Sequence, residues 1–169
     1  VRGWTEAQQE FRAVGIKSAT DLAKLTAQTG VAADTFRDNF LTIYLNVETC
    51  STPADFIIQL ILTLRATQSQ YFFGALRMVA YENILAEAPG TLDPKDALKA
   101  GMDWSHCWEA QADQLIDGIE KIDQPILFVI DELPDMFLKI QKQFPDQFEP
   151  FLRWFRAARE IRPIRWIAA

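Results

Sequence analysis

Two adjacent carboxylates, Asp131 and Glu132, directly follow the apolar run 126–130 (ILFVI). An unbroken apolar run of this length is typical of a strand that is buried on both faces of a parallel sheet. Open sheets of that kind bind ligands beyond the carboxyl ends of their strands, where this pair is expected. One acidic residue at that edge can hold a magnesium ion bound to phosphates, and the second can orient or deprotonate an attacking water.

The segments around this pair alternate between strand and helix patterns. Residues 40–47 (FLTIYLNV) and 164–169 (IRWIAA) predict two further strands. Helical periodicity predicts helices at about 53–66, 70–87, 103–122, 134–143 and 146–160. Residues 89–95 (PGTLDPK) are expected to form a turn-rich loop. This alternation predicts an α/β fold with a mainly parallel sheet flanked by helices.

The helix predicted at 53–66 has a well-defined start. Thr52 can cap it, Pro53 suits its first position, and Asp55 can reach back as in a capping box. Its apolar residues cover more than one side, so we expect the helix to be largely buried.

Composition narrows the class of protein. The chain has 169 residues, which fits one domain, and a net charge of −6, which disfavours a general nucleic-acid binder. Its two cysteines predict no disulfide framework and favour a reduced, cytoplasmic protein. The N-terminus is polar, without a secretory signal, and apolar stretches fall short of the ~20 residues that cross a bilayer. We therefore expect no membrane partner.

Residues 126–135 (ILFVIDELPD) resemble the Walker B motif of P-loop ATPases. Together with the later FLRWFRAARE and IRWIAA segments, they resemble the ATPase core of the AAA-like and STAND-like family over about residues 40–169. The resemblance implies a partial three-layer P-loop NTPase fold that binds and hydrolyses ATP. It also implies that Asp131 holds Mg²⁺ and that Glu132 polarises the attacking water. In that family hydrolysis drives conformational change in a larger protein, so other domains or subunits are the expected partners.

The phosphate loop of such ATPases, GxxxxGK[ST], has no match in the chain. The nearest segment is 15–18 (GIKS), in which Ile16 interrupts the required Gly-Lys pair. Lys17 and Ser18 are the candidate nucleotide-binding residues of this degenerate loop. Since the chain begins at Val1 and stops after a strand, we expect it to be a piece of a longer protein, inactive by itself. The phosphate loop would then lie outside the chain or be lost.

Residues 1–39 are predicted to form a separate helical segment. Residues 11–40 resemble helix-hairpin-helix segments, which would let backbone amides approach a DNA phosphate. The simpler alternative is that Gly15 ends one helix and that Ser18 or Thr20 caps the next. Two further functions therefore stand beside the ATPase: a degenerate, non-catalytic scaffold for protein interaction, and a DNA-binding protein that acts through residues 11–40.

Three arginines recur at every third position of the helix predicted at 146–160: Arg153, Arg156 and Arg159. One of them could serve as an arginine finger. The alternative is that they form i,i+4 ion pairs, Glu149 with Arg153 and Arg156 with Glu160. The helical and strand spacing of four tryptophans favours core packing over base stacking. These are Trp104, Trp108, Trp154 and Trp166.

Overall fold

A computed structural model describes residues 41–67, 79–122, 125–161 and 164–168 of the chain. Within these ranges, strands and helices alternate. Their order is β1 (Leu41–Asn46), α1 (Pro53–Ala66), α2 (Val79–Glu87), α3 (Pro94–Ala100), α4 (Trp104–Glu120), β2 (Ile126–Asp131), α5 (Leu133–Gln143), α6 (Pro145–Glu160) and β3 (Ile164–Ala168). The predictions for residues 1–39, and the domain boundary at residue 40, lie outside the described residues.

The three strands form an open, all-parallel sheet with β2 in the middle. Asn46 of β1 pairs with Asp131, and Ala168 of β3 pairs with Ile130. Because all three strands run in the same direction, their carboxyl ends meet at one edge of the sheet. The predicted α/β class with a mainly parallel sheet is therefore confirmed for the described residues.

The burial of β2 follows from its sequence. Its five apolar residues are buried and Asp131, its last residue, is half-buried. By contrast, β1 alternates, with Ile43 and Leu45 buried but Tyr44 and Asn46 exposed. A central strand needs apolar side chains on both faces, so polar residues enter β2 only where the strand ends.

An aromatic cluster joins the helices to the sheet. Phe56 of α1 meets three rings of α6 nearly edge-on, with ring centroids 5.5, 6.2 and 5.8 Å away, those of Phe151, Trp154 and Phe155. Edge-to-face pairs of this kind stabilise a core beyond their buried area. All four tryptophans predicted to pack in the core are buried: Trp104, Trp108, Trp154 and Trp166.

Helix α3 corrects the sequence prediction, which gave a loop at 89–95 and no helix before about 103. Asp93 caps α3 by accepting a hydrogen bond from the Lys95 N–H (2.8 Å), and Pro94 occupies its first position. The Gly101 N–H donates to the carbonyl of Ala97 (2.9 Å) and ends it. This Asp-Pro start and Gly stop are the local signal for the helix. Of the helix predicted at 70–87, the part described is α2.

Candidate functional site

Asp131 lies at the carboxyl end of the central strand. Its register partner is Asn46, and register partners on neighbouring strands are about 4.8 Å apart with side chains on the same face. The Val47 N–H donates to the Asp131 carbonyl (3.2 Å), which extends the pairing by one bond. The Asn46 Oδ1 accepts a hydrogen bond from the Glu48 N–H (2.9 Å). An amide and a half-buried carboxylate therefore stand side by side at this edge.

Glu132 has an unusual backbone. Its φ of 63° and ψ of 26° are left-handed, and no other non-glycine residue in the described ranges has a positive φ. This conformation costs an ordinary L-residue about 1–2 kcal/mol. Glu132 is the N-cap residue of α5, and its carbonyl accepts the first helical bond, from the Met136 N–H (3.1 Å). The strained residue thus forms the tight turn from the central strand into α5.

The side chain of Glu132 has no structural role in the part of the chain that the structure describes. It is exposed, makes no capping hydrogen bond and is in no ion pair. A half-buried carboxylate and an exposed one therefore follow each other at the sheet edge. The first can bind a cation, and the second can contact a water molecule next to it.

A tight turn follows β1 at the same edge. The Cys50 N–H donates to the Val47 carbonyl (2.9 Å) and closes it. The Lys139 Nζ of α5 donates to the Glu48 carbonyl (2.6 Å), and the Lys95 Nζ of α3 donates to the Thr49 Oγ1 (3.1 Å). Two helices that are distant in sequence therefore hold this turn next to Asp131. The sequence did not predict either contact.

The start of α1 is a buried polar network, and it confirms the predicted capping box. The Oδ1 of Asp55 has no hydrogen bond of good geometry, so its only close partner is the ammonium group of Lys99. Asp55 is only 2% exposed, and its Oδ2 accepts hydrogen bonds from the N–H of Ser51 (2.9 Å) and of Thr52 (3.1 Å). The Lys99 Nζ of α3 lies 2.5 Å from the other oxygen, Oδ1. Burial disfavours the ionised form, but the contacts with Lys99 and Ser51 outweigh it and lower the pKa of Asp55.

Neither cysteine provides a reactive thiolate. Burial raises the pKa of Cys50 to about 11, and the charges of Lys95, Lys99 and Lys139 offset this rise only in part. Burial also raises the pKa of Cys107. A thiol with a raised pKa stays protonated near neutral pH and is a poor nucleophile.

A small polar cluster lies at the start of α4. The His106 Nδ1 lies 2.8 Å from Asp103 Oδ2 and 2.9 Å from Ser105 Oγ. A catalytic relay needs the two partners on different ring nitrogens, whereas here both contacts involve the same nitrogen. The hydrogen bonds from Ser105 and His106 lower the pKa of Asp103, which is fully exposed. The cluster is therefore a solvated helix start.

The arginines of α6, Arg153, Arg156 and Arg159, are all exposed. The prediction that Glu149 pairs with Arg153 and Arg156 with Glu160 is wrong, because neither ion pair forms among the described residues. Exposed ion pairs gain little over two solvated side chains, which explains their absence. Among the described residues the ion pairs are Arg65–Glu82 and Lys99–Asp55, and His106 forms one with Asp103 when its ring is protonated.

The candidate phosphate-binding residues Lys17 and Ser18 lie outside the described residues. In the ranges that the structure covers, no three His, Cys, Asp or Glu side chains are grouped so as to hold a metal ion. Among the same residues, no helix has the length and apolar character needed to cross a membrane. Comparison of the chain with known protein families, curated proteins and solved structures found no match.

Proposed function

We propose that this chain carries the metal- and water-binding edge of an AAA-like or STAND-like ATPase. Asp131 holds Mg²⁺ bound to ATP, and Glu132 orients the water that attacks the γ-phosphate. The observation that supports this most is the position of the two carboxylates, half-buried and exposed, at the carboxyl end of the central strand. Ligands of open parallel sheets bind at that edge.

The strand order also supports the proposal. The resemblance implies that strand 40–47 is an outer neighbour of the strand bearing the acidic pair. It also implies that the strand after FLRWFRAARE belongs to the same sheet. β1 and β3 flank β2 and run parallel to it.

The backbone of Glu132 adds a second argument. Glycine or asparagine would adopt a left-handed conformation at a lower cost than glutamate. Strained residues of this kind cluster at functional sites, where the side chain is needed in spite of the strain. Among the described residues, the Glu132 carboxylate neither caps α5 nor pairs with a cation, so it can accept a hydrogen bond from a water molecule at this edge.

The donors at the edge suit Mg²⁺. This ion takes six oxygen ligands, commonly one or two carboxylates together with phosphates and waters. Asp131 supplies a carboxylate, and the amide of Asn46 beside it can bind a water of the ion's shell. When bound, the ion would neutralise charge on the phosphates. Glu132 would accept a hydrogen bond from the attacking water and orient it.

Binding and turnover of ATP by the complete protein test the two roles separately, since this chain is expected to be inactive by itself. Glu132→Gln keeps the size of the side chain and removes its charge, so turnover should fall about 100-fold or more while Mg²⁺-dependent ATP binding persists. Asp131→Asn should weaken ATP binding in the presence of Mg²⁺. Asp135→Asn, which changes an exposed carboxylate in the first turn of α5, is the matched control and should alter neither.

The alternatives predict different results. Turnover by Glu132→Gln at the parent rate would refute the role of Glu132. Absence of nucleotide binding even in the complete protein would favour the non-catalytic scaffold. Salt-sensitive binding of duplex DNA, weakened by changing Lys17, would favour a role for residues 11–40, which lie outside the described ranges.

A further inference from the structure

Two lysine ammonium groups converge on the turn that follows β1. The Lys139 Nζ donates to the carbonyl of Glu48 (2.6 Å), and the Lys95 Nζ donates to the hydroxyl of Thr49 (3.1 Å). Their acceptors belong to consecutive residues, whose Cα atoms are about 3.8 Å apart. Helices α3 and α5 therefore bring two positive charges to the tip of a single turn.

Neither charge is neutralised by its acceptor, because one is a backbone carbonyl and the other a hydroxyl. An ammonium group has three N–H donors, so each lysine keeps donors for a ligand or for water. Lys99 provides the contrast, since its ammonium lies 2.5 Å from the buried Asp55 carboxylate. Of these three lysines, Lys95 and Lys139 can therefore bind an anionic ligand.

Nearby acids do not compensate this charge by direct pairing. The closest in sequence are Asp93 and Asp96 on either side of Lys95, Asp135 one turn before Lys139, and the exposed side chain of Glu48. The charge of Lys95 also acts on the buried Asp55 and helps to lower its pKa. Within the described ranges, no carboxylate oxygen lies within 4.0 Å of either ammonium. The two ammonium groups therefore remain available to a ligand at this turn.

The turn lies at the edge of the proposed ATPase site. It begins directly after Asn46, the register partner of Asp131, and the Val47 N–H donates to the Asp131 carbonyl (3.2 Å). The lysines and the metal-binding carboxylate therefore lie at the same edge of the sheet. Charge-assisted bonds from ammonium to phosphate are among the stronger hydrogen bonds in proteins.

We propose that Lys95 and Lys139 form an oxyanion subsite for the polyphosphate chain of a nucleotide. The identity of the ligand rests on the proposed function, but binding of the anion does not require hydrolysis. The subsite supplies positive charge from α3 and α5, on residues that the degenerate segment with Lys17 does not include. A nucleotide and an inorganic polyphosphate share this chemistry, and the test separates them.

The first experiment is calorimetric titration of the chain with inorganic tripolyphosphate, without Mg²⁺ and at low ionic strength. Lys95→Met and Lys139→Met keep the apolar stem but remove the charge, so each should weaken binding about tenfold. Lys142→Met is the matched control, because Lys142 is exposed on the same helix as Lys139 and should change affinity less than about twofold.

Three results would overturn the inference. The first is no binding of tripolyphosphate by the parent chain, and the second is parent affinity in both methionine variants. The third is an equal loss of affinity in Lys142→Met, which would mean that the anion is attracted to positive charge in general. Lys139→Arg guards against a folding artefact, since it keeps the charge and should bind within about threefold of the parent. Loss of binding by Lys139→Arg, with unchanged thermal unfolding, would also count against the subsite.

The same titrations distinguish this inference from the proposed function. Without Mg²⁺, Asp131→Asn should bind tripolyphosphate at least as tightly as the parent, because Asp131 attracts the anion only through the metal and its negative charge repels the anion otherwise. If tripolyphosphate binding depends on the lysines, but the complete protein binds ATP no tighter than tripolyphosphate and does not hydrolyse it, the subsite stands for inorganic polyphosphate and the ATPase proposal fails. If ATP binds and depends on Asp131 but not on the lysines, the ATPase proposal stands and the subsite fails.

Discussion

Two strand-to-helix junctions lie at the same edge of the sheet, and they are built in opposite ways. Between β1 and α1, Thr52 and Asp55 form a reciprocal capping box, and Asp55 is almost fully buried. Between β2 and α5, Glu132 occupies the N-cap position in a left-handed conformation, without a capping bond from its side chain. One carboxylate is fixed by its neighbours, whereas the other is exposed on a strained backbone.

This difference separates carboxylates that stabilise the fold from those available for chemistry. The buried Asp55 has a partner at each oxygen, so it has little capacity to bind a ligand. Asp131 and Glu132 have no such network among the described residues, yet they are at the carboxyl end of the central strand. Acidic residues at one sheet edge therefore differ in role according to whether their oxygens are already satisfied.

The largest expected effect on the free energy of unfolding comes from removing the Asp55 carboxylate at the junction between β1 and α1. Asp55→Ala leaves the N–H groups of Ser51 and Thr52 and the Lys99 ammonium without their acceptor, so it should destabilise the chain by about 3 kcal/mol. Glu132→Ala removes a carboxylate of similar position but should change the free energy of unfolding by less than about 0.5 kcal/mol. Chemical denaturation of both variants measures the contrast, and equal losses would abolish the distinction between the junctions.

A second, smaller effect concerns the charge of Asp55. Its pKa is lowered in the folded chain, so its ionisation stabilises the fold above the unfolded pKa of about 3.9. That contribution is lost as the pH falls through the lower, folded pKa. Asp55→Asn should thus be less stable than the parent at pH 6, and the gap should narrow as the pH falls below about 4. Denaturant midpoints across this range measure the gap; a constant gap would contradict the role of the charge.

The junction between β1 and α1 could be predicted from the sequence, because the residues that form it are close together in the chain. Thr52, Pro53 and Asp55 lie within four residues, and they set the start of α1 at the predicted position. The apolar run of β2 likewise predicts a central strand, and its bounds at 126–131 agree. The sequence of a segment predicts its structure when the interactions that determine that structure lie within the same segment.

The lysine contacts could not be predicted in this way. Lys139 and Glu48 are 91 residues apart and Lys95 and Thr49 are 46 apart, so only the folded chain brings them together. The helix that carries Lys95 is itself too short, at seven residues, for a periodic apolar stripe. The left-handed conformation of Glu132 has no local signal either, because glutamate rarely adopts it.

The smallest predicted effect bears most directly on the strained junction. Glu132→Gly and Glu132→Ala both remove the carboxylate, but only glycine relieves the left-handed strain, so Glu132→Gly should be more stable than Glu132→Ala by about 1 kcal/mol. For a chain of this size the difference corresponds to about 2–4 °C in melting temperature. If both variants also lose turnover, glutamate at position 132 lowers the stability of the chain but is required for activity. Equal stability of the two variants would show that the turn stores no strain, and the argument from Glu132 to function would then rest on its position alone.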